Sequence, residues 1–238
     1  MGWQILRILA VDSSARPASV AIVEDGALLS EQYTHTGLTH SETLLPMIEA
    51  SLRCAKLTLE NIDAFTVTTG PGSFTGIRIG IAAVKGMAVA REKPCMGIST
   101  LEAIAYNLLG QDCLACCAMD ARREQVYTAL FDCGREEIKR LTPDAALPLV
   151  ELGLLLQETA RRSIIFVGDG APLCYQAFAE QLTDAFLAPE HLRYQRAAGA
   201  AFAVLRNQIF CSAEELLPQY LRLPQAEREL RKREEGSA

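Results

Sequence analysis

The residues whose types and spacing most clearly suggest chemistry are Asp12, Ser13 and Ser14, in the stretch V-D-S-S near the start of the sequence. In a turn after a strand, hydroxyls and backbone N–H groups can hold a phosphate, and a carboxylate can face Mg²⁺ through water. The three residues are therefore candidates for nucleotide binding. The alternative is structural and the residue types favour it, because Asp and Ser commonly form turns by bonding to nearby backbone groups.

The glycine-rich stretch T-T-G-P-G-S-F-T-G-I-R, residues 68–78, is a second candidate for phosphate binding. A P-loop needs a Lys and a hydroxyl after its last glycine, because these reach the outer phosphates and Mg²⁺. Here Ile77 and Arg78 follow Gly76. The dinucleotide motif G-x-G-x-x-G also fails by one residue. The stretch therefore predicts a sharp strand-to-helix turn, and only secondarily a neighbour of a nucleotide.

Other catalytic and metal-binding patterns are absent from the sequence. The histidines His35, His40 and His191 include no pair at the i,i+4 spacing of H-E-x-x-H, and no G-x-S-x-G nucleophile elbow occurs. Cys113 and Cys116 have C-x-x-C spacing, but no second pair follows at the distance of a zinc ribbon. We therefore expect reduced thiols in a buried strand.

Charged residues also surround the predicted start of a strand in M-D-A-R-R-E-Q-V-Y, residues 119–127. Asp120, Arg122 and Glu124 have the charges for ion pairs at short range. We expect a salt-bridged turn here.

A three-stranded meander must position the V-D-S-S turn. Short strand-like runs predict strands at 5–11, 19–23 and 27–33, with an Asp25-Gly26 hairpin turn between the last two. A helix follows at 39–54. Thr39 and Glu42 offer a capping box, but Pro46 also allows the regular helix to begin at Thr43, with the proline in its first turn.

The remaining pattern predicts a second lobe that repeats the first. Strand 62–69 leads into helix 74–91, strand 95–98 and a helix capped by Ser99, which complete a lobe over 1–100. The second lobe, 101–223, contains the remaining predicted elements: strands at 113–119, 125–131, up to 141 and 164–167, and helices at 147–160, 171–182 and 197–210. Two such lobes indicate the α/β, two-lobed fold of the actin-like ATPases (ASKHA fold), a duplicated β-meander plus helices. The charged tail, 224–238, is predicted to be frayed.

Composition limits the possible partners. The 238-residue chain has a formal net charge of −6, which argues against a protein that grips nucleic acid by itself, because phosphate neutralisation supplies most nonspecific affinity. The apolar run at the start ends at Asp12, far short of the ~20 residues of a membrane span. We expect a cytoplasmic protein whose first apolar run is a buried strand.

Helix 74–91 has more apolar surface than one sheet can cover. Its polar residues are Thr75, Arg78, Lys85 and Arg91. The first three fall on one stripe, and the remaining circumference is apolar or small. A second cover is therefore expected, either within the subunit or from a partner. In the second case Gly80 would lie where two helices approach, and Gly80→Leu would give a folded monomer that no longer associates.

These residues together resemble the bacterial TsaB (YeaZ) family. The resemblance spans nearly the whole chain in order, and the glycine-rich motif is highly specific. The matching stretches are I-L-A-V-D-S-S, S-V-A-I, H-S-E-T-L-L-P-M-I, T-T-G-P-G-S-F-T-G-I-R-I-G, M-D-A-R-R-E-Q-V-Y, V-G-D-G-A and P-Q-Y-L-R.

The resemblance implies a non-catalytic partner subunit. Such a subunit forms a heterodimer with the catalytic paralogue TsaD, is assisted by the ATPase TsaE, and takes part in threonylcarbamoyl transfer to the adenosine beside the tRNA anticodon. ATP and metal are then expected in the partner subunits and none in the isolated chain, and tRNA is reached only through the complex. Subunit contact is implied on helices 39–54 and 74–91, with these expected contact residues: His40, Leu44, Met47, Gly76, Gly80, Ala83 and Met87.

Two alternatives stay open. The chain could be an actin-like ATP-dependent enzyme, or a peptidase-like hydrolase, that acts alone. It could also form a homodimer, because one helix face can pair with its own copy.

Overall fold

Two mixed β-sheets carry the fold of the computed structural model, which describes residues 6–159 and 162–222. The first sheet has the order β3-β2-β1-β4-β5. Its strands and the two helices between them are β1 (Arg7–Asp12), β2 (Ala18–Glu24), β3 (Ala27–Thr34), α1 (His40–Ala55), β4 (Ala64–Gly70), α2 (Phe74–Arg91) and β5 (Cys95–Ser99).

The second sheet repeats this arrangement with the order β11-β10-β6-β7-β8, and β9 pairs with β7. In both sheets three strands form an antiparallel meander and two more add in parallel beside the first of them. The predicted duplication and the actin-like, two-lobed α/β fold are therefore confirmed. The elements after β5 are α3 (Thr100–Ala105), β6 (Cys113–Asp120), β7 (Gln125–Cys133), β8 (Ile138–Arg140), β9 (Ala145–Pro148), α4 (Leu149–Thr159), β10 (Ile164–Val167), α5 (Ala171–Phe178), β11 (Ala185–Leu187), α6 (Glu190–Arg193) and α7 (Ala197–Asn207).

Both faces of each sheet are covered. Along β1, Leu9 and Val11 face the core formed with α1 and α2, whereas Ile8 and Ala10 face the alanine-rich α7, because successive side chains of a strand point to opposite sides. The second sheet is likewise packed between α3 on one face and α4 and α5 on the other.

The last part of the chain belongs to the first lobe. Helix α7 packs on β1 and β2, and after it Leu216 is buried in the core beneath α2. The division into 1–100 and 101–223 is therefore wrong for this segment, because a local pattern does not show which sheet a late helix covers. The tail 224–238 lies outside the described residues.

Helix α1 begins at His40 and carries Pro46 in its interior, which excludes a start at Thr43. Thr39 is the N-cap, but its side chain makes no capping bond. Its carbonyl accepts the N–H groups of Glu42 and Thr43 instead.

The cysteines of β6 are buried thiols, as predicted. All eight cysteines of the chain are free. Cys113 and Cys116 face different cores, on opposite sides of β6, because they are an odd number of positions apart in a strand. They cannot act as a C-x-x-C pair.

Across the two described ranges, no helix combines the length and the apolar character that crossing a membrane requires.

Candidate functional site

The strand ends of the two lobes enclose a cleft with a cavity of about 650 Å³. The turn after β1 and the glycine-rich turn after β4 form its wall in the first lobe. The turns after β6 and β10, with Asp120 and Asp169, form the opposite wall. Equivalent turns of the two repeats therefore face each other.

The predicted nucleotide-binding residues Asp12, Ser13 and Ser14 are buried at this wall. Asp12 Oδ1 accepts hydrogen bonds from Ser14 N–H (2.9 Å) and Ser14 Oγ–H (2.8 Å). Ser13 Oγ–H donates to the carbonyl of Gly76 at 2.8 Å. All three side chains thus hold the turn and its contact with α2, as the structural alternative predicted.

The glycine-rich turn covers them. The Ser73 N–H donates to the Ser14 carbonyl at 2.6 Å, and a Cβ at Gly72 would lie 2.2 Å from that oxygen. The backbone of this turn thus packs directly on the Ser14 carbonyl. Ser14 still borders the cavity, and the buried Asp12 Oδ2 has no hydrogen-bond partner within the described residues, so nucleotide binding by Asp12, Ser13 and Ser14 stays a prediction.

Burial makes Asp12 sensitive to pH. It raises the pKa of the carboxyl from 3.8 to about 6, against the opposing hydrogen bonds from Ser14. Between these values the native state holds a proton that the unfolded chain has lost, so the Asp12 contribution to stability falls as pH rises from about 4 to 6 and is constant above.

We expect Asp12→Asn to remove this dependence while keeping the acceptor for Ser14. The unfolding free energy of the variant relative to wild type should improve by about 2 kcal/mol between pH 4 and pH 7. Urea unfolding at several pH values measures the difference. If the difference in unfolding free energy between variant and wild type does not change with pH, the raised pKa of the buried Asp12 carboxyl is contradicted.

Two aspartate side chains hold the turn after β6 by accepting hydrogen bonds from backbone N–H groups. Asp120 Oδ1 accepts the Arg122 N–H at 2.6 Å, and Asp169 Oδ1 accepts the Asp120 N–H at 3.1 Å. Arg122, Arg123 and Glu124 have φ values of 62°, 57° and 56°, a left-handed conformation uncommon for residues other than glycine. The expected salt-bridged turn is wrong: in the described part of the chain, none of the ion pairs involves Asp120, Arg122 or Glu124.

Two motifs that are distant in the sequence meet beside this cleft. Tyr220 of P-Q-Y-L-R stacks on Phe74 of the glycine-rich motif with ring centroids 4.5 Å apart. Arg78 lies over the Phe74 ring and donates from Nε to the Tyr220 hydroxyl at 2.9 Å. The Gln219 N–H donates to the carbonyl of Thr69 at 2.8 Å. The C-terminal motif therefore fixes the turn that starts α2.

Helix α2 presents an apolar outer face, which we define by its exposed residues Ala82, Gly86, Val89 and Ala90. Val89 is 65% exposed, and a Cβ at Gly86 would meet nothing within 4 Å. Lys85 beside this face donates to the Glu214 carbonyl at 3.2 Å. Arg78, the other charged residue on this side of α2, donates to the Tyr220 hydroxyl, so both cations beside the outer face are hydrogen-bonded within the chain.

The contact residues implied by the resemblance divide into two groups. Met47, Ala83 and Met87 are half-buried and border the core at the surface. The others, His40, Leu44, Gly76 and Gly80, contact their own lobe.

For the residues that contact their own lobe, the expected role in subunit contact requires a correction. Leu44 is 1% exposed, and the Nε2–H of His40 donates to the Ala15 carbonyl at 2.7 Å. A Cβ would lie 2.1 Å from the Ser13 carbonyl at Gly76 and 2.4 Å from Ser13 Oγ at Gly80. Gly80→Leu should therefore destabilise the lobe rather than give a folded monomer. Sequence reasoning missed Val89, although helical spacing places it opposite Gly80.

Comparisons with known proteins agree with this fold. The family model described as "TsaD: tRNA N6-adenosine threonylcarbamoyltransferase" matches residues 34–230. The TsaB protein of Bacillus subtilis is 29% identical over 93% of this chain and 96% of its own length. The TsaB protein of Escherichia coli is 36% identical over 53% of this chain and 55% of its own length.

A solved structure extends the match to three dimensions. YeaZ from Pseudomonas aeruginosa superposes with a TM-score of 0.76 and 28% identity, over 91% of this chain and all of that one. The chain therefore belongs to the family that the TsaD model describes and, by its matches to TsaB and YeaZ proteins, to the TsaB (YeaZ) group within it.

Proposed function

We propose that this chain is a non-catalytic partner subunit that works with the catalytic paralogue TsaD and the ATPase TsaE in forming threonylcarbamoyladenosine in tRNA. Curated relatives from several bacteria are named tRNA threonylcarbamoyladenosine biosynthesis protein TsaB. The observation that carries the proposal is the apolar outer face of α2.

The outer face has the properties of a helix-packing surface. Ala82, Gly86 and Ala90 have small or no side chains, so that a partner helix can approach closely. The opposite side of α2 is fixed in the core by Ile77 and Val84, both fully buried, so the helix cannot turn its apolar residues inward. The face therefore stays available to another subunit, with TsaD as the proposed partner and a second copy of the chain as the alternative.

The proposal gives this chain a supporting role in the reaction. The candidate nucleotide-binding residues serve to hold a turn against α2. Within 6–159 and 162–222, no three His, Cys, Asp or Glu side chains come together in a group that could hold a metal ion. In this proposal the ATP and the metal belong to the partner subunits, and this chain supplies the rigid placement of α2.

An enzyme that acts alone is the second candidate, and the cleft is the observation that favours it. Its Asp120 side is exposed, and burial raises the pKa of Asp169. A hydrolase or phosphotransferase would use these carboxylates without a partner. Activity of the isolated chain would distinguish the two candidates.

The isolated chain is expected to bind tRNA weakly, because a net charge of −6 offers little counterion release. Filter binding or anisotropy at about 150 mM salt should show affinity only after TsaD is added. Bovine serum albumin in place of TsaD is the control. Tight binding by the chain alone, with a steep dependence on salt, would contradict a role through the complex.

A further inference from the structure

The segment that follows α7, residues 208–222, runs back over the first lobe and is called the strap below. Cys211 pairs with β5, Leu216 enters the core, and the Gln219 N–H bonds to Thr69. At its end Arg222 Nη1 donates to the Ala121 carbonyl at 3.0 Å. The strap thus connects the edge of the first sheet to the turn of the second lobe at the cleft.

Cys95 of β5 and Cys211 of the strap lie directly opposite each other. The N–H of Cys95 donates to the Cys211 carbonyl at 3.0 Å, and the N–H of Cys211 donates back at 2.8 Å. In such a hydrogen-bonded antiparallel pair the Cα atoms are about 5.5 Å apart, within the range that a disulfide spans. The two sulfurs are 3.9 Å apart and both thiols are free.

The two thiols differ in their access to solvent. Cys95 is fully buried, whereas Cys211 is partly exposed. Burial raises the pKa of the Cys95 thiol to about 12. An oxidant from solution should therefore meet Cys211 first.

A second cysteine pair offers an internal comparison. Cys113 and Cys133 are directly opposite each other on β6 and β7. Both are buried, with exposures of 1% and 0%. Both pairs thus face each other across neighbouring strands. The partial exposure of Cys211 distinguishes the Cys95–Cys211 pair from the Cys113–Cys133 pair.

We propose that Cys95 and Cys211 form a disulfide when the protein meets a hydroperoxide, and that this bond fastens the strap to the first sheet. The Cys211 thiolate attacks one oxygen of hydrogen peroxide and becomes a sulfenic acid, while hydroxide leaves and is protonated to water. The Cys95 sulfur then attacks the sulfenic sulfur, its proton leaving with the displaced hydroxide as a second water. Two thiols and one peroxide thus give one disulfide and two water molecules.

The bond should stabilise the protein. It closes a loop between residues 116 positions apart, and cross-links over long loops restrict the unfolded chain most. We expect the oxidised protein to melt about 5–15 °C above the reduced one. Exchange of the Gln219 amide should slow as well, because its bond to Thr69 lies in the fastened strap.

The test uses the full chain with Cys54→Ser, because Cys54 is exposed and could join two molecules. The protein is treated with hydrogen peroxide, alkylated, and mapped by mass spectrometry without reduction. A Cys95–Cys211 linked peptide and a rise in melting temperature that dithiothreitol reverses are expected. Adding Cys211→Ser should abolish both.

Three results would overturn the proposal. The first is alkylation of both Cys95 and Cys211 after peroxide treatment. The second is oxidation of Cys211 to a sulfinic acid without a cross-link. The third is a disulfide between Cys113 and Cys133 instead.

Discussion

Replacing Gly76 by alanine is expected to destabilise the protein by about 2 kcal/mol or more, whereas the same replacement at Gly86 in the same helix should stabilise it by about 0.5–1 kcal/mol. At Gly76 the new Cβ would lie 2.1 Å from the Ser13 carbonyl, so the turn after β1 and the helix would have to separate. At Gly86 nothing lies within 4 Å, and only the better helix propensity of alanine remains.

Thermal and urea unfolding of the isolated chain measure this contrast. Gly76→Ala should melt about 4–8 °C below wild type, and Gly86→Ala at or slightly above it. Equal melting temperatures for the two variants would mean that the contact between α2 and the turn of Asp12, Ser13 and Ser14 is absent in solution.

Val89→Glu is expected to weaken association with TsaD about 100-fold while leaving the isolated chain folded. Val89 lies on the outer face of α2 and is 65% exposed, so a glutamate is solvated in the free subunit. In a subunit interface the same carboxylate would be buried without a partner, at a cost of several kcal/mol, and each 1.4 kcal/mol corresponds to about tenfold in affinity.

Val150→Glu is the matched control, because Val150 also lies on a helix and is 78% exposed, but on α4 of the second lobe. Both variants should melt within about 1 °C of wild type. Titration calorimetry with TsaD should show lost affinity for the first variant only. Equal affinities would place the interface elsewhere, and equal losses would point to a general effect of charge. Sedimentation of each variant alone reports on the homodimer.

Local patterns were enough to predict the duplicated fold. The Asp25-Gly26 turn and the short apolar runs of β1 and β2 identify the meander, and similar runs recur in β6 and β7. The strands that were missed are β9 and β11, with four and three residues, too short for alternation to be visible. The return of α7 to the first sheet was missed because it depends on long-range packing.

The candidate site was predicted less well than the fold, for the same reason. Periodicity places Gly80 and Val89 on opposite sides of α2, but it does not show which side meets the sheet. The contact of Ser14 with Gly72 and Ser73 likewise joins residues that are remote in the sequence. Residue type identified the groups that could do chemistry, and tertiary contacts determined that they hold the turn.

Reconstitution of tRNA modification tests the proposed partner role most directly. The chain, TsaD and TsaE from the same organism are combined with threonylcarbamoyl-adenylate, ATP and tRNA, and each protein is omitted in turn while threonylcarbamoyladenosine is measured by mass spectrometry. The expected result is sustained formation with all three proteins, a severe loss without this chain, and none with this chain alone. Modification by the chain alone, or an unchanged rate in its absence, would contradict the role of a non-catalytic partner subunit.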